Sequence, residues 1–386
     1  MAVLTGIRSK LPDVGTTIFT SMSRLAEEHG AINLAQGFPE FDCTPELQGL
    51  LEKYMRMGRN QYAPMAGVMV LREAIAEKNL AAGNRDYHPE TEITITSGAT
   101  EALYAAVSTI VRPGDEVILF EPAYDSYAPA IVTNGGVPVY ITLPPQYEYV
   151  DWQQVEAAIT SRTKAIMINT PHNPTGKVWD RADLEQLGTL AEKHNLLVIS
   201  DEVYEHIIFD GRRHVSASAI ASLAERTFVC GSFGKTFHIT GWKQGYCLAP
   251  AELTAEFRKI HQFIVFSVFT PVQFALAEYL KEPAHYQALS AFYERKRDLF
   301  YNAIELIGFV MKPSEGSFFQ NVCYENLSDE DDVVLAQRLT SESGVASIPV
   351  SAFYKQPTHY RTLRFCFAKH DETLLKAAER LGKVRW

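Results

Sequence analysis

Cysteine is scarce in this 386-residue chain. The five thiols, at positions 43, 230, 247, 323 and 366, are odd in number and widely scattered, and no Cys-x-x-Cys pair occurs. Neither a disulfide framework nor a thiolate metal site is indicated, so a reducing compartment is expected. Long apolar runs are missing as well. Nothing approaches the ~20 residues needed to span a bilayer, and Met1–Asp13 lacks the apolar run of a signal peptide. These absences predict a soluble, cytoplasmic protein with no membrane association, and the Asn326-Leu327-Ser328 triplet means little without a secretory signal. Basic charge is also in deficit, with 36 Lys and Arg against 46 Asp and Glu, a net charge of −10. Such a surface repels phosphate backbones. The short basic runs Arg258-Lys259 and Arg295-Lys296-Arg297 have Glu256, Glu294 and Asp298 close by, so they read as solvated helix faces and no nucleic-acid partner is expected.

What is present is a core. Hydrophobic residues make up 46% and charged residues 21%, ordinary for a packed globular protein, and the length suits two domains better than one. Residues 45–58 and 67–82 carry helical spacing of apolar positions. Strand and helix then alternate, with strands at 92–96, 116–120, 137–141, 164–169, 196–200, 227–230 and 245–248. Helices lie near 100–111, 151–160, 181–194 and 252–265. Short, almost wholly apolar strands separated by helices predict an α/β fold, a largely parallel sheet covered on both faces. A long helical stretch at 284–307 leads into a different pattern, with strands at 317–323 and 362–367 around helices near 331–343 and 371–382. The expected division is a large α/β domain over 45–283 and a smaller α+β domain built from 1–44 with 284–386.

In open α/β sheets, ligands bind beyond the carboxyl ends of the strands, and the residues there are chemically suggestive. Gly231-Ser232-Phe233-Gly234-Lys235-Thr236 follows a strand and contains half of a nucleotide-binding P-loop. That loop needs a glycine five positions before Gly234, where this chain has Val229. Two readings of Lys235 stay open: a loop lysine in water, or a buried amine whose lowered pKa frees it to form a Schiff base with a carbonyl. Asp201 ends an apolar strand, where a carboxylate is costly unless a cation meets it. It is either the partner of a pyridinium nitrogen or a helix N-cap, and Tyr204 would lie on the same side of the following turn. In Thr170-Pro171-His172-Asn173-Pro174-Thr175-Gly176 two prolines hold Asn173, in a ligand site or in a plain turn. At Ser97-Gly98-Ala99-Thr100-Glu101 a strand enters a helix through small residues, offering either N–H groups to a phosphate or a capping box. In Thr362–Phe367, Arg364 alternates against Leu363, Phe365 and Phe367, so it points away from their face. Its guanidinium suits a carboxylate or a surface salt bridge.

Together these segments, with Asn33-Leu-Ala-Gln-Gly-Phe-Pro39, Gln61-Tyr-Ala-Pro64 and Asp201-Glu-Val-Tyr-Glu-His206, resemble the class I/II pyridoxal-phosphate aminotransferases of fold type I. The resemblance runs over nearly the whole chain. Within that family it points to the kynurenine aminotransferase and glutamine transaminase K branch, nearest the bacterial methionine aminotransferases. It implies a homodimer that uses pyridoxal 5′-phosphate, binds no metal, and works on an amino acid and a 2-oxo acid by ping-pong kinetics. Lys235 would bond the cofactor and move the proton between Cα and C4′. Asp201 would pair with the ring nitrogen, Asn173 and Tyr204 would bond the phenolate oxygen, and Tyr124 would stack on the ring unless it is a core aromatic. Gly98, Ala99, Thr100, Ser232 and Lys243 would hold the phosphate, with Tyr62 reaching it from the neighbouring subunit. Arg364 would clamp the substrate carboxylate, assisted by Asn173 and the Gly37 backbone.

Two departures from the family pattern stand out. Lys243 replaces the arginine that many relatives carry, a point charge in place of a planar fork, and His238 replaces a small residue with no role to assign. The segment Phe263–Phe269, where relatives build the side-chain pocket partly across the dimer, is apolar and holds no basic residue. If Phe266 and its neighbours form that pocket and are not core, methionine and aromatic or other large apolar donors fit better than aspartate. The rival activities are a Cβ–S lyase acting on cysteine conjugates, a kynurenine or glutamine transaminase, and a cyclopropane-forming synthase acting on S-adenosylmethionine. A transcription regulator would need a DNA-binding module ahead of Asn33, where about 30 residues stand.

Overall fold

The computed structural model describes residues 6, 8–146, 149–356 and 358–386. Part of the Met1–Asp13 stretch therefore lies outside the described residues. The strands in chain order are β1 (Ile32–Asn33), β2 (Ile93–Thr96), β3 (Glu116–Glu121), β4 (Val137–Thr142), β5 (Thr163–Asn169), β6 (Leu197–Asp201), β7 (Thr227–Ser232), β8 (Gly245–Leu248), β9 (Phe319–Cys323), β10 (Val345–Ala346), β11 (Ile348–Pro349) and β12 (Thr362–Cys366).

The main sheet has the order β2-β8-β7-β6-β5-β3-β4. Successive side chains of a strand face opposite sides, and here both sides are buried. Ile166, Ile168 and Val198 join one apolar cluster, while Ala165, Met167 and Ile199 join the other. The helix Gly98–Ile110 covers the second face with Ala102, Leu103, Ala105, Ala106 and Val107. Arg181–Lys193 turns Leu184, Leu187, Leu190 and Ala191 to the first. Each large apolar side chain buried in this way contributes roughly 1.5–3 kcal/mol relative to exposure.

The sheet is less uniformly parallel than the sequence suggests. β3 to β7 run parallel, but β8 is antiparallel to both β7 and β2. The segment joining β7 to β8 has one short α-helical turn, Phe233–Thr236, and a 3-10 turn, Thr240–Trp242. It returns the chain directly instead of crossing the sheet, as a parallel return requires.

A second, antiparallel sheet has the order β11-β12-β9, and β1 pairs in parallel with β10. Helices Leu289–Glu305 and Asp371–Gly382 pack together beside it. The expected helix over 284–307 divides into Ala284–Gln287 and Leu289–Glu305, and that over 331–343 is Asp332–Arg338 followed by a wider turn, Leu339–Ser343. Among the described residues, three helices longer than a single turn have no counterpart in the sequence reading. Ile18–Glu28 is amphipathic, with Ile18, Phe19, Met22, Leu25 and Ala26 on its core-facing side, a helical spacing that the sequence reading passed over. Thr270–Tyr279 is buried nearly all round and so lacks a period, and Tyr127–Thr133 spans barely two turns.

Candidate active site

The carboxyl ends of β5, β6 and β7 open into a cavity of about 450 Å³, closed opposite by Phe319 and Arg364 of the second sheet and by residues 36–38. Lys235 reaches it from the turn after β7. Ser232 caps that turn, its Oγ accepting from the Gly234 N–H at 3.0 Å. Lys235 Nζ donates to the Gly37 carbonyl at 2.8 Å, and burial, chiefly, lowers its pKa to about 8. Gly37 has no room for a side chain, since a Cβ there would stand 2.6 Å from Phe319 Cζ.

Asp201 ends β6 and is buried. No helix follows it, so the N-cap reading is not realised. Its Oδ2 accepts from the Tyr127 hydroxyl at 2.6 Å and its Oδ1 from the Val203 N–H at 3.3 Å. Burial pushes its pKa up to about 6, against the lowering effect of the Tyr127 bond. Tyr204 is buried beside the edge of Phe318, and desolvation pushes its phenol well above the usual range.

Asn173 is fixed through its N–H, which donates to Asn169 Oδ1 at 2.7 Å, while Asn169 Nδ2 donates to the Asp201 carbonyl at 2.9 Å. Arg364 lies on the central strand of the second sheet. Its Nη1 donates to Asn173 Oδ1 and its Nη2 to the Ala35 carbonyl, both at 2.8 Å. The guanidinium stands 4.0 Å from the Phe319 ring centroid. Burial lowers its pKa to about 10, and Nε is buried with no hydrogen-bond partner among the described residues.

At the other end of the cavity the helix Gly98–Ile110 begins with Gly98 at φ +72°. A Cβ there would stand 3.2 Å from Lys243 Nζ, and one on Gly245 would meet Gly98 C at 2.6 Å and Ala99 N at 2.7 Å. Two missing side chains thus let the helix start, the sheet and an ammonium group close around one small space, with Thr100 and Ser232 beside it. Tyr124 completes the wall, its ring 5.7 Å from that of Tyr127.

Of the residues anticipated from sequence, Tyr62 and Phe266 lie outside this cavity. They touch each other edge to face at 5.3 Å, and Tyr62 is 81% exposed. Several lining residues were not anticipated. Asn169 ends a predicted strand, and Asp125 and Tyr127 lie within three residues of Tyr124, so all three had a signal, whereas Phe19 had none. His238 sits at φ +58° against Phe41, away from the cavity lining, and its Nε2 is buried with no hydrogen-bond partner among the described residues.

The family model for aminotransferase class I and II matches residues 29–381. The chain belongs to that family. It is 52% identical to the methionine aminotransferase of Escherichia coli K12 over 98% of both chains. It is 35% identical to the kynurenine–oxoglutarate transaminase of Dictyostelium discoideum, over 96% of this chain and 94% of that one. A crystal structure of an Escherichia coli protein identified as having a methionine aminotransferase function superimposes with a TM-score of 0.96 at 51% identity, covering 98% and 99% of the two chains. The chain is therefore a transaminase of α/β, fold type I architecture with pyridoxal 5′-phosphate as cofactor.

The cavity fits that cofactor on its own geometry. A buried carboxylate held partly unfavourable by desolvation suits a cationic ring nitrogen. A buried amine with a pKa near 8 suits a carbonyl. Free helix N–H groups beside an ammonium suit a phosphate. Among the described residues no cluster could hold a metal ion, and no helix is long and apolar enough to cross a membrane.

Proposed function

We propose that this aminotransferase takes the α-amino group from methionine or a large apolar or aromatic amino acid and passes it to a 2-oxo acid. The observation that carries this reading is that one cavity joins Lys235, Asp201 and Arg364 and lines its approach with Phe19, Phe38 and Phe319. When bound, pyridoxal phosphate supplies a carbonyl to receive the amino group and a ring to take up the electron pair of the broken Cα–H bond.

Arg364 binds the substrate carboxylate through the N–H bonds its fork still has free, the Asn173 and Ala35 contacts fixing the fork beforehand. With Asn173 Oδ1 occupied by Arg364, its Nδ2 is the donor left for the phenolate oxygen, beside the Tyr204 hydroxyl. Asp201 would pair with the ring nitrogen and favour its protonated form. Tyr124 would lie along the ring. Gly98, Ala99 and Thr100 supply N–H groups and Ser232 and Lys243 supply side chains for the phosphate. Lys235 would act as the base that takes the proton from the substrate Cα and gives it back to the bound cofactor, a task suited to an amine of pKa near 8. The Gly37 carbonyl orients the amine within the cavity.

Tyr62 and Phe266 reach the site of a second copy in this reading. Their position outside the cavity, with Phe263 85% and Phe269 51% exposed nearby, supports a homodimer whose sites are shared. The pairing of β1 with β10 supports the division into a domain at 45–283 and a smaller one from 1–44 with 284–386. A cytoplasmic location fits the free thiols, four of which are buried.

The test is the visible absorption spectrum of the purified protein before and after adding L-methionine. A yellow band that bleaches as the 2-oxo acid appears supports the reading. A yellow band untouched by methionine removes the substrate assignment, and no band even with added pyridoxal phosphate removes the cofactor roles.

A further inference from the structure

The segment that presents Tyr62 is stitched to the protein by side chains that follow β8. The Gln61 carbonyl accepts from Thr270 Oγ1 at 2.7 Å and the Ala63 carbonyl from Ser267 Oγ at 3.0 Å. The Met65 carbonyl is met by His261 Nε2 at 3.0 Å, and the Val68 N–H donates to Gln273 Oε1 at 2.9 Å. His261 differs from the others in what its second nitrogen does. Its Nδ1 lies 2.8 Å from Glu101 Oε1, and Glu101 Oε2 accepts from the Ser97 N–H at 3.0 Å. Ser97 is the residue on which the helix Gly98–Ile110 begins, so this chain of bonds ends at the phosphate end of the cavity.

The chemistry of the bonds is constrained. A carbonyl only accepts, so Nε2 carries a hydrogen, and the short contact with Glu101 places one further proton between Nδ1 and Oε1. The ring is fully buried, leaving no water to replace either partner. The shared proton also offsets a carboxylate that would otherwise oppose an anion at this helix N-terminus.

We propose that His261 is a positioning residue that couples the phosphate-binding helix start to the Tyr62 segment, so that each subunit fixes its own phosphate site and the tyrosine it lends to its partner through one imidazole. This rests on the proposed role of Tyr62 across the dimer. The coupling makes a specific demand: how much Tyr62 adds to cofactor binding depends on the bond to Met65.

Two conservative variants separate the two ring nitrogens. Asn at 261 keeps a donor near the Nδ1 position and loses reach to Met65, whereas Gln keeps a donor near the Nε2 position. The dissociation constant of pyridoxal phosphate is measured by titrating the cofactor-free dimer and following its absorbance, for parent, His261→Asn and His261→Gln, each with and without Tyr62→Phe. A lost hydrogen bond to a charged group raises the constant by roughly tenfold. That factor is expected for Tyr62→Phe in the parent, falling below about threefold in His261→Asn; His261→Gln, which keeps the Met65 bond and loses the one to Glu101, should keep the factor while raising the constant itself. The same factor in all three backgrounds overturns the proposal, leaving His261 a packing residue. So does a Tyr62→Phe change without effect in the parent, since there would be nothing to position. A parent protein that fails to bind pyridoxal phosphate at all would instead remove the cofactor roles on which the proposal rests.

Discussion

Asp201 carries opposite consequences for stability and for catalysis, and Asp201→Asn separates them by sign. Burial raises this carboxyl from 3.8 to about 6 in the folded protein, roughly 3 kcal/mol against its ionised form. With the folded pKa above the unfolded one, that penalty is fully present above pH 6, shrinks as pH falls, and is gone below 3.8. Asparagine keeps the shape, ends the titration, and weakens the 2.6 Å bond from Tyr127, a loss of about 1 kcal/mol. The cofactor-free variant should therefore match or exceed its parent by up to about 2 kcal/mol at pH 7.5, with no advantage near pH 4. Urea unfolding at the two pH values reads this directly. Turnover should move the other way, because the charge that keeps the ring nitrogen protonated is lost while the cofactor stays bound. A fall of at least about a hundredfold, near 2.7 kcal/mol of barrier, is expected. A cofactor-free variant more than about 1 kcal/mol less stable than the parent at pH 7.5 would make the carboxylate a structural group. Turnover within about threefold of the parent would remove its catalytic role.

Other consequences follow from the same geometry. An amine adds to a carbonyl only when neutral, so recombination of cofactor-free protein with pyridoxal phosphate should quicken with pH and level off above about 8, the Lys235 value. A rate still climbing at pH 10 would mean an ordinary exposed lysine. Arg364→Lys forfeits the fork to Asn173 and Ala35 and the stack on Phe319. It should cut kcat/KM for methionine by roughly 10–100-fold with cofactor affinity nearly unchanged; an equal loss of cofactor would refute a substrate role. Gly37→Ala pushes a Cβ to within 2.6 Å of Phe319 and displaces the carbonyl that holds Lys235. It should destabilise the fold by about 1–3 kcal/mol and lower turnover further than calorimetry alone explains, whereas a silent substitution would show that the wall moves freely.

The sequence was most readable where strands end. Asp201, Ser232 and Lys235 each follow a short apolar run, and a polar group leaving such a run must meet something, so their placement could be argued residue by residue. Which of two readings applied could not, and the resemblance to a family decided between them. Direction was not legible at all. Gly245–Leu248 has the same apolar pattern whether it runs with β7 or against it, and only the short connection after β7 settles that it runs against. Tyr127 escaped for a related reason: its bond to Asp201 spans 74 positions of chain, and nothing local in Tyr124-Asp-Ser-Tyr127 says which hydroxyl faces the carboxylate. The helix Ile18–Glu28 brings Phe19 to the cavity; its apolar period over Ile18, Phe19, Met22, Leu25 and Ala26 was there to be read, but nothing in it says that the helix packs beside a site formed by residues 36–364.

Tyr62 and Phe266 show a different kind of limit. Both were assigned by family resemblance to a site shared across a dimer, and in one chain they stand outside that chain's own cavity, meeting edge to face. A tyrosine 81% exposed beside a phenylalanine 50% exposed is an unfavourable surface for an isolated monomer, because apolar area left in water forgoes about 25 cal/mol for each Å². The proposed second copy offsets that cost and brings the two aromatics to a cavity at once. The tie from Met65 through His261 and Glu101 to Ser97 then has a reason to be rigid: a residue lent across an interface is positioned by its own subunit, and an error there would be felt in the partner's site. Motif reading can name such a residue, but only the hydrogen bonds behind it show what holds it in place.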